Sequence, residues 1–242
     1  MLSLKRFFVL MITAVVAVSA VSAQTNSGKE MSVEESYLQE SIELMIIRET
    51  ARAESREQKL IALEYISDAI GRGNTNDEIR QTLDFLAREG RRTVSRENGR
   101  VTNNFPDVRR QAAKYLGQIG TEEAQKSLIE ITRFENEPMV LQEAIKSLGD
   151  IGLNENNETV EHIAWIVRKF DNLNPDNLMA IATIDAFEKI ANKNGGINSP
   201  DAIQILIRIS EGHYVTPVKE RAKQFLADLR SYGSSNDSSN NR

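Results

Sequence analysis

Pro106-Asp-Val-Arg-Arg-Gln-Ala-Ala-Lys-Tyr-Leu-Gly-Gln-Ile-Gly120 carries the plan of the whole chain. Proline fits the first turn of a helix, where its missing N–H removes no bond. Val108, Ala112, Tyr115, Leu116 and Ile119 then recur at helical spacing. Small residues leave room for a neighbouring helix, and Gly117 and Gly120 close the segment. The pattern returns at Pro138-Met-Val-Leu-Gln-Glu-Ala-Ile-Lys-Ser-Leu-Gly-Asp-Ile-Gly152. A unit used twice in one chain predicts a stacked repeat array.

The alanine-centred part of the unit serves as a ruler. Ala112-Ala-Lys-Tyr-Leu116 aligns with Ala144-Ile-Lys-Ser-Leu148, Ala222-Lys-Gln-Phe-Leu226 and Ala62-Leu-Glu-Tyr-Ile66, and more weakly with Thr183-Ile-Asp-Ala-Phe187. Starts at 62, 112, 144, 183 and 222 are 50, 32, 39 and 39 residues apart, against periods of about 30 to 47 for helical-pair repeats. The long first gap implies an insertion, placed at 91–105. Second helices are predicted at Asp77–Arg88, Thr121–Phe134, Thr159–Phe170 and Asp201–Ser210. A leading helix is predicted at Val33–Ala53 and a charged capping helix at Pro217–Arg230. One pair cannot bury both its apolar faces, whereas stacked pairs bury them in a continuous core. The expected fold is therefore all-α: an α-solenoid of stacked antiparallel helix pairs in a right-handed superhelix, with almost no strand.

The stretch from Pro106 to Gly120 closely resembles the first helix of HEAT-like repeats, of the short bacterial type seen in phycobilisome lyases. That pattern runs Pro-Asp, Val-Arg, Ala-Ala, then Leu-Gly-x-Ile/Leu-Gly. Positions 106–109, 112, 113, 116, 117, 119 and 120 match it. The second copy keeps Pro138, Val140, Ala144, Leu148, Gly149, Ile151 and Gly152, with Leu141 at the usual arginine position. The resemblance spans roughly residues 55–230 and is specific over 106–152. It implies a HEAT-like or armadillo-like superhelix that acts as a binding scaffold. It also brings in, as an alternative, an enzyme subunit or a lyase-like HEAT protein. Arg109 occupies the family's arginine position, which assigns it to repeat packing.

The first residues have another purpose. Lys5 and Arg6 precede an apolar run from Phe7 to Val18, and Val21-Ser22-Ala23 offers the small residues that a signal peptidase reads. This is the layout of a secretory signal peptide. The expected organisation is a signal peptide at 1–23, a flexible start at 24–31, a solenoid at 32–230 interrupted at 91–105, and a disordered polar tail at 231–242. The chain has no cysteine, which excludes a lipoprotein anchor, disulfides and thiolate metal sites. Removing residues 1–23 takes away Lys5 and Arg6 and no acid, so the net charge moves from −5 to −7. A mildly acidic exported chain is poorly suited to nucleic acid. The expected location is exported, periplasmic or secreted.

The chemistry-bearing residues are few. There is no Gly-x-Ser-x-Gly elbow, and Gly71-Arg-Gly73 and Gly195-Gly196 read as helix ends rather than phosphate cradles. His162 reads as a partly exposed helical histidine and His213 as a loop residue, neither with a second ligand at helical spacing. No catalytic, cofactor or metal residue is therefore assigned, and no enzyme activity is expected. One segment departs from the scaffold: Arg88, Arg91, Arg92, Arg96, Arg100, Arg109 and Arg110 crowd residues 88–110 without a lysine. Arginine's planar fork suits carboxylates and phosphates. Either Arg91, Arg92, Arg96 and Arg100 dock an acidic partner or an anionic lipid surface, or they pair with the leading helix through Glu34, Glu40 or Glu43.

The expected function is an exported scaffold that binds another protein, with a purely structural envelope role as the rival. The binding face is expected on the concave side, lined by the second helices, with Gln125, Glu130, Arg133, Glu161, Arg168 and Arg208 exposed on it. Membrane contact is expected only through an uncleaved signal or the arginine-rich insertion.

Overall fold

A computed structural model describes residues 32–171 and 175–239. The expectations for residues 1–31, including the signal peptide, fall outside the described residues. Residues up to Ile42 and residues from Glu43 onward separate into two compact units. In the first, residues 32–42 are described. They begin helix α1 (Val33–Arg52) with a reciprocal cap: the Glu35 N–H donates to Ser32 Oγ at 3.1 Å, and the Ser32 N–H donates to Glu35 Oε2 at 3.1 Å. That pairing satisfies two of the N–H groups that a helix start leaves free.

The second unit holds the helix pairs. First helices are α2 (Arg56–Gly71), α4 (Pro106–Ile119), α6 (Pro138–Ile151) and α8 (Asn177–Asn194). Their partners are α3 (Asp77–Arg88), α5 (Glu122–Phe134), α7 (Glu158–Asp171) and α9 (Pro200–Glu211), and α10 (Thr216–Ser239) follows. The fold is an all-α solenoid of stacked helix pairs. The ruler position explains why: Ala62, Ala112, Ala144, Thr183 and Ala222 are all fully buried. Each sits where a first helix meets its neighbour.

The repeated Leu-Gly step makes that meeting close. A Cβ on Gly149 would lie 2.6 Å from the Ala186 Cα, and one on Gly117 would lie 2.6 Å from the Ser147 Cβ. Real Cβ atoms do not approach so closely, so glycine at these two positions lets α6 approach α8 and α4 approach α6. Gly120 and Gly152 end their helices at φ 72° and 68°, the left-handed C-cap region that favours glycine. Thr121, Asn76 and Ser199 cap the following helices by accepting from Ala124, Ile79 and Ala202.

Two differences from the sequence reading stand out. The insertion folds as a small hairpin, β1 (Arg96–Glu97) against β2 (Arg100–Val101), with Arg96 opposite Val101 and Glu97 opposite Arg100. Asn98 and Gly99, at φ 49° and 80°, form the turn. Asn-Gly is the strongest short-range signal for such a hairpin, so this element was legible in the sequence. Helix α10 continues to Ser239, where a disordered tail from 231 was expected. Extending a helix that is already nucleated adds one bond per residue, which offsets the polar composition.

Candidate functional site

The arginine-rich segment folds back onto its own repeat. Arg88, at the end of α3, lies 2.7 Å from Asp84 and 2.8 Å from Glu130. Arg92 also reaches Glu130. Arg91 bridges Glu135 at 3.0 Å and Glu137 at 3.1 Å. The counter-charges are thus those of α5 and the loop after it rather than Glu43, which pairs with Arg72. Arg91 and Arg92 are each engaged by carboxylates of their own repeat, Arg92 through one nitrogen and with half its side chain exposed. The sequence could not show this, because the pairing joins residues 38 to 46 positions apart. Arg96 and Arg100 stay exposed on the hairpin, where Arg96 donates to the Gly99 carbonyl at 3.2 Å.

Beneath these surface pairs lies a buried cluster. Arg109 is fully buried and donates to Glu135 at 2.7 Å, to the Asn104 side chain at 2.9 Å and to the Glu89 carbonyl at 3.3 Å. Burial pushes the Glu135 carboxyl up, but hydrogen bonds from Arg109 and from the Glu137 and Asn136 N–H groups, with the Arg109 charge, bring the balance below the usual value. Lys59, on α2, is buried too, donating to the Ala51 carbonyl at 2.9 Å and lying 2.7 Å from Glu89 Oε2. No donor meets that oxygen with hydrogen-bond geometry among the described residues, so the Lys59–Glu89 contact is mainly electrostatic. These residues lock the base of the insertion to three helices. The assignment of Arg109 to repeat packing agrees with this geometry.

The second helices form a row. Aligned on buried Leu83, Leu128, Ile163 and Ile205, they place Phe85, Glu130, Trp165 and Ile207 at one equivalent, partly exposed position. Of the residues expected on this row, Arg133, Glu161 and Arg208 are exposed. Arg168 pairs with Asp201 at 2.8 Å, and Glu130 holds Arg88 and Arg92. Gln125 is a correction: it is buried, donating to the Leu153 carbonyl at 3.1 Å and meeting the Thr159 hydroxyl. The start of α7 approaches α5 at that point, so an amide that reads as exposed on an isolated helix becomes a tie between repeats.

His162 is the residue whose role the sequence underestimates. Its Nε2 lies 2.6 Å from Thr132 Oγ1 on α5, and its ring stacks on Trp165 with centroids 5.5 Å apart. The Thr132 hydroxyl also lies 3.0 Å from the Leu128 carbonyl and 2.9 Å from the Ile129 carbonyl. With one proton to give, Thr132 donates to the backbone, so Nε2 carries hydrogen and donates to Thr132. Burial first, then the Arg133 charge, pull the imidazole pKa from 6.5 down to about 4.

That depression has a sign. Below about pH 6.5 the unfolded chain takes up a proton that the folded chain refuses until about pH 4. His162 therefore contributes a loss of stability as pH falls through that window. The wild-type melting temperature is expected to drop more steeply from about pH 7 to about pH 5 than that of His162→Gln. Parallel slopes would show that the ring is not held neutral.

Cations lie over exposed aromatic rings on both α5 and α7. Lys169 Nζ sits 5.3 Å from the Trp165 ring and 5.1 Å from the Phe170 ring, and the Arg92 guanidinium sits 5.8 Å from the Phe134 ring. Phe134 and Trp165 are 54% and 40% exposed. An open groove of about 500 Å³ lies elsewhere on the row, walled by Arg48, Glu78, Gln81 and Phe85. Its Arg48–Glu78 pair at 3.3 Å ties α1 to α3. Among the described residues, no group of three His, Asp or Glu is placed to hold a metal ion.

Residues 98–172 match a family model described as HEAT repeats. The match takes in both strong copies of the repeated unit and the second helices α5 and α7 that follow them. No curated protein matches the chain.

Proposed function

We propose that this chain, which carries HEAT repeats over residues 98–172, is an exported, non-catalytic scaffold that binds another protein through its row of second helices. HEAT repeats in general act as protein-interaction scaffolds, and the finer reading rests on one observation. Phe134 on α5 and Trp165 on α7 are half-exposed, each with a cation over its ring, while ion pairs from Arg88 to Glu130 and from Arg168 to Asp201 tie neighbouring second helices together. Tryptophan and arginine are enriched among the residues that dominate binding interfaces. A rigid stack presents them with little ordering cost on association. Export rests on the charged start, the apolar run and the small-residue site of residues 1–23.

The test is a photoreactive amino acid placed at Phe134 in the producing cell, with the same label at Ile61 on α2 as control. A protein adduct from position 134 and not from 61, recovered with a mature chain beginning at Gln24, is the expected result. Equal labelling from both positions would remove the face, and a recovered chain that keeps Phe7–Val18 would replace a cleaved signal by an anchor.

A further inference from the structure

The patch formed by Arg133, Phe134, Trp165 and Lys169 has a chemistry that names its partner more closely. Along the second-helix row, Arg88 and Arg92 share Glu130, and Arg168 takes Asp201. Arg133 and Lys169 have no carboxylate partner among the described residues. They flank the stacked His162–Trp165 pair, with Arg133 close enough to depress the imidazole and Lys169 over the indole. His162 is neutral and donates to Thr132, so it adds no charge. Glu161, exposed one helical turn before Trp165, is a carboxylate on the same helix. The patch is thus locally cationic in a chain whose net charge is −5, and its middle is apolar and aromatic.

We infer that this face, taken as the binding face proposed above, captures an acidic polypeptide segment in which carboxylates bracket apolar side chains, the carboxylates meeting Arg133 and Lys169 and an apolar side chain lying on Trp165 and Phe134. Charge complementarity selects this occupant. An apolar partner would leave two cations without counter-charges, and a basic one would be repelled. Lys169 already rests on the Trp165 and Phe170 rings, so it is positioned before binding and meets a partner carboxylate with little added ordering.

Trp165 is the only tryptophan in the chain, so its emission reports on the patch itself. The intact mature protein is titrated with a short capped peptide of alternating glutamate and leucine, with its glutamine counterpart, and with vesicles of anionic phospholipid. The glutamate peptide is expected to shift or quench Trp165 emission saturably, with binding that weakens as salt rises. Arg133→Gln and Lys169→Gln are each expected to weaken it by about fivefold, as for an exposed charge pair at the upper end of its usual worth, with unchanged melting temperature. Binding of the glutamine peptide with equal strength would overturn the acidic partner while leaving the binding face intact. Response to the vesicles but not to the peptide would assign the patch to a membrane and overturn the inference. Silence toward all three, combined with specific adducts from position 134, would overturn it without touching the scaffold reading; silence together with no adduct would end both.

Discussion

Glu135→Ala is expected to lower the stability of the folded chain by about 3–5 kcal/mol. The carboxylate is 1% exposed and answers Arg109, which is fully buried. Removing it leaves a guanidinium in the interior with only the Asn104 side chain and the Glu89 carbonyl as acceptors. Arg91 loses one of its two partners as well. The Glu135 carboxyl also accepts from the Asn136 and Glu137 N–H groups at 2.8 and 3.0 Å, so the turn into α6 loses its cap. Replacing both charges, Arg109→Met with Glu135→Leu, is expected to cost less than Glu135→Ala alone, because a buried pair returns much of its worth as relief of its own desolvation. Denaturant titration separates the two, provided the slope stays constant. A loss below about 1 kcal/mol in Glu135→Ala would mean that Arg109 reaches water, and the buried cluster would have to be redrawn.

The same cluster shows what could and could not be read from sequence. The fold was legible because it is written in local periodicity. The Pro-to-Gly units state their own starts, ends and buried faces, and the ruler position proved buried even at Thr183, where the residue match is weakest. The leading, second and capping helices fell within a few residues of their predicted bounds for the same reason, apart from the far end of α10. The hairpin was legible at Asn98-Gly99, although its two-residue strands are too short to show a period of their own.

The site was less legible, because its contacts cross between repeats. An isolated α5 would expose Gln125, and only the arrival of Thr159 and Leu153 buries it. The arginines at 88, 91 and 92 read as a free cationic segment until Glu130, Glu135 and Glu137 are brought beneath them. The patch at Trp165 escaped notice because each residue has an ordinary reading: Phe134 and Lys169 as helix ends, His162 as a helical histidine. Their meaning lies in adjacency, which a stack of helices produces at offsets of about 30 to 40 residues.

Ala112→Glu is expected to have the larger effect, at least about 4–5 kcal/mol, enough to leave much of the chain unfolded at physiological temperature. Ala112 is fully buried on α4, one turn after the equally buried Arg109, so the prediction turns on why one charge is accepted there and another is not. Arg109 sits beside the insertion, where Glu135, Asn104 and the Glu89 carbonyl converge, and Lys59 likewise finds Glu89 and the Ala51 carbonyl. Both lie where a loop or helix end turns its polar groups inward. Ala112 lies at mid-helix, at the ruler position shared by Ala62, Ala144, Thr183 and Ala222, where backbone polar groups are spent within the helices and the neighbours are apolar. A carboxylate there meets no donor, and its added volume would push apart helices that pack against alanine. Ala112→Ser, with little added volume, is expected to cost only a small part of this loss, since its hydroxyl can donate to a carbonyl one turn back. Thermal or denaturant unfolding of the two variants tests the argument. Comparable stability of Ala112→Glu and wild type would mean that α4 does not present this position to the core, and the register shared by the four first helices and α10 would fail with it.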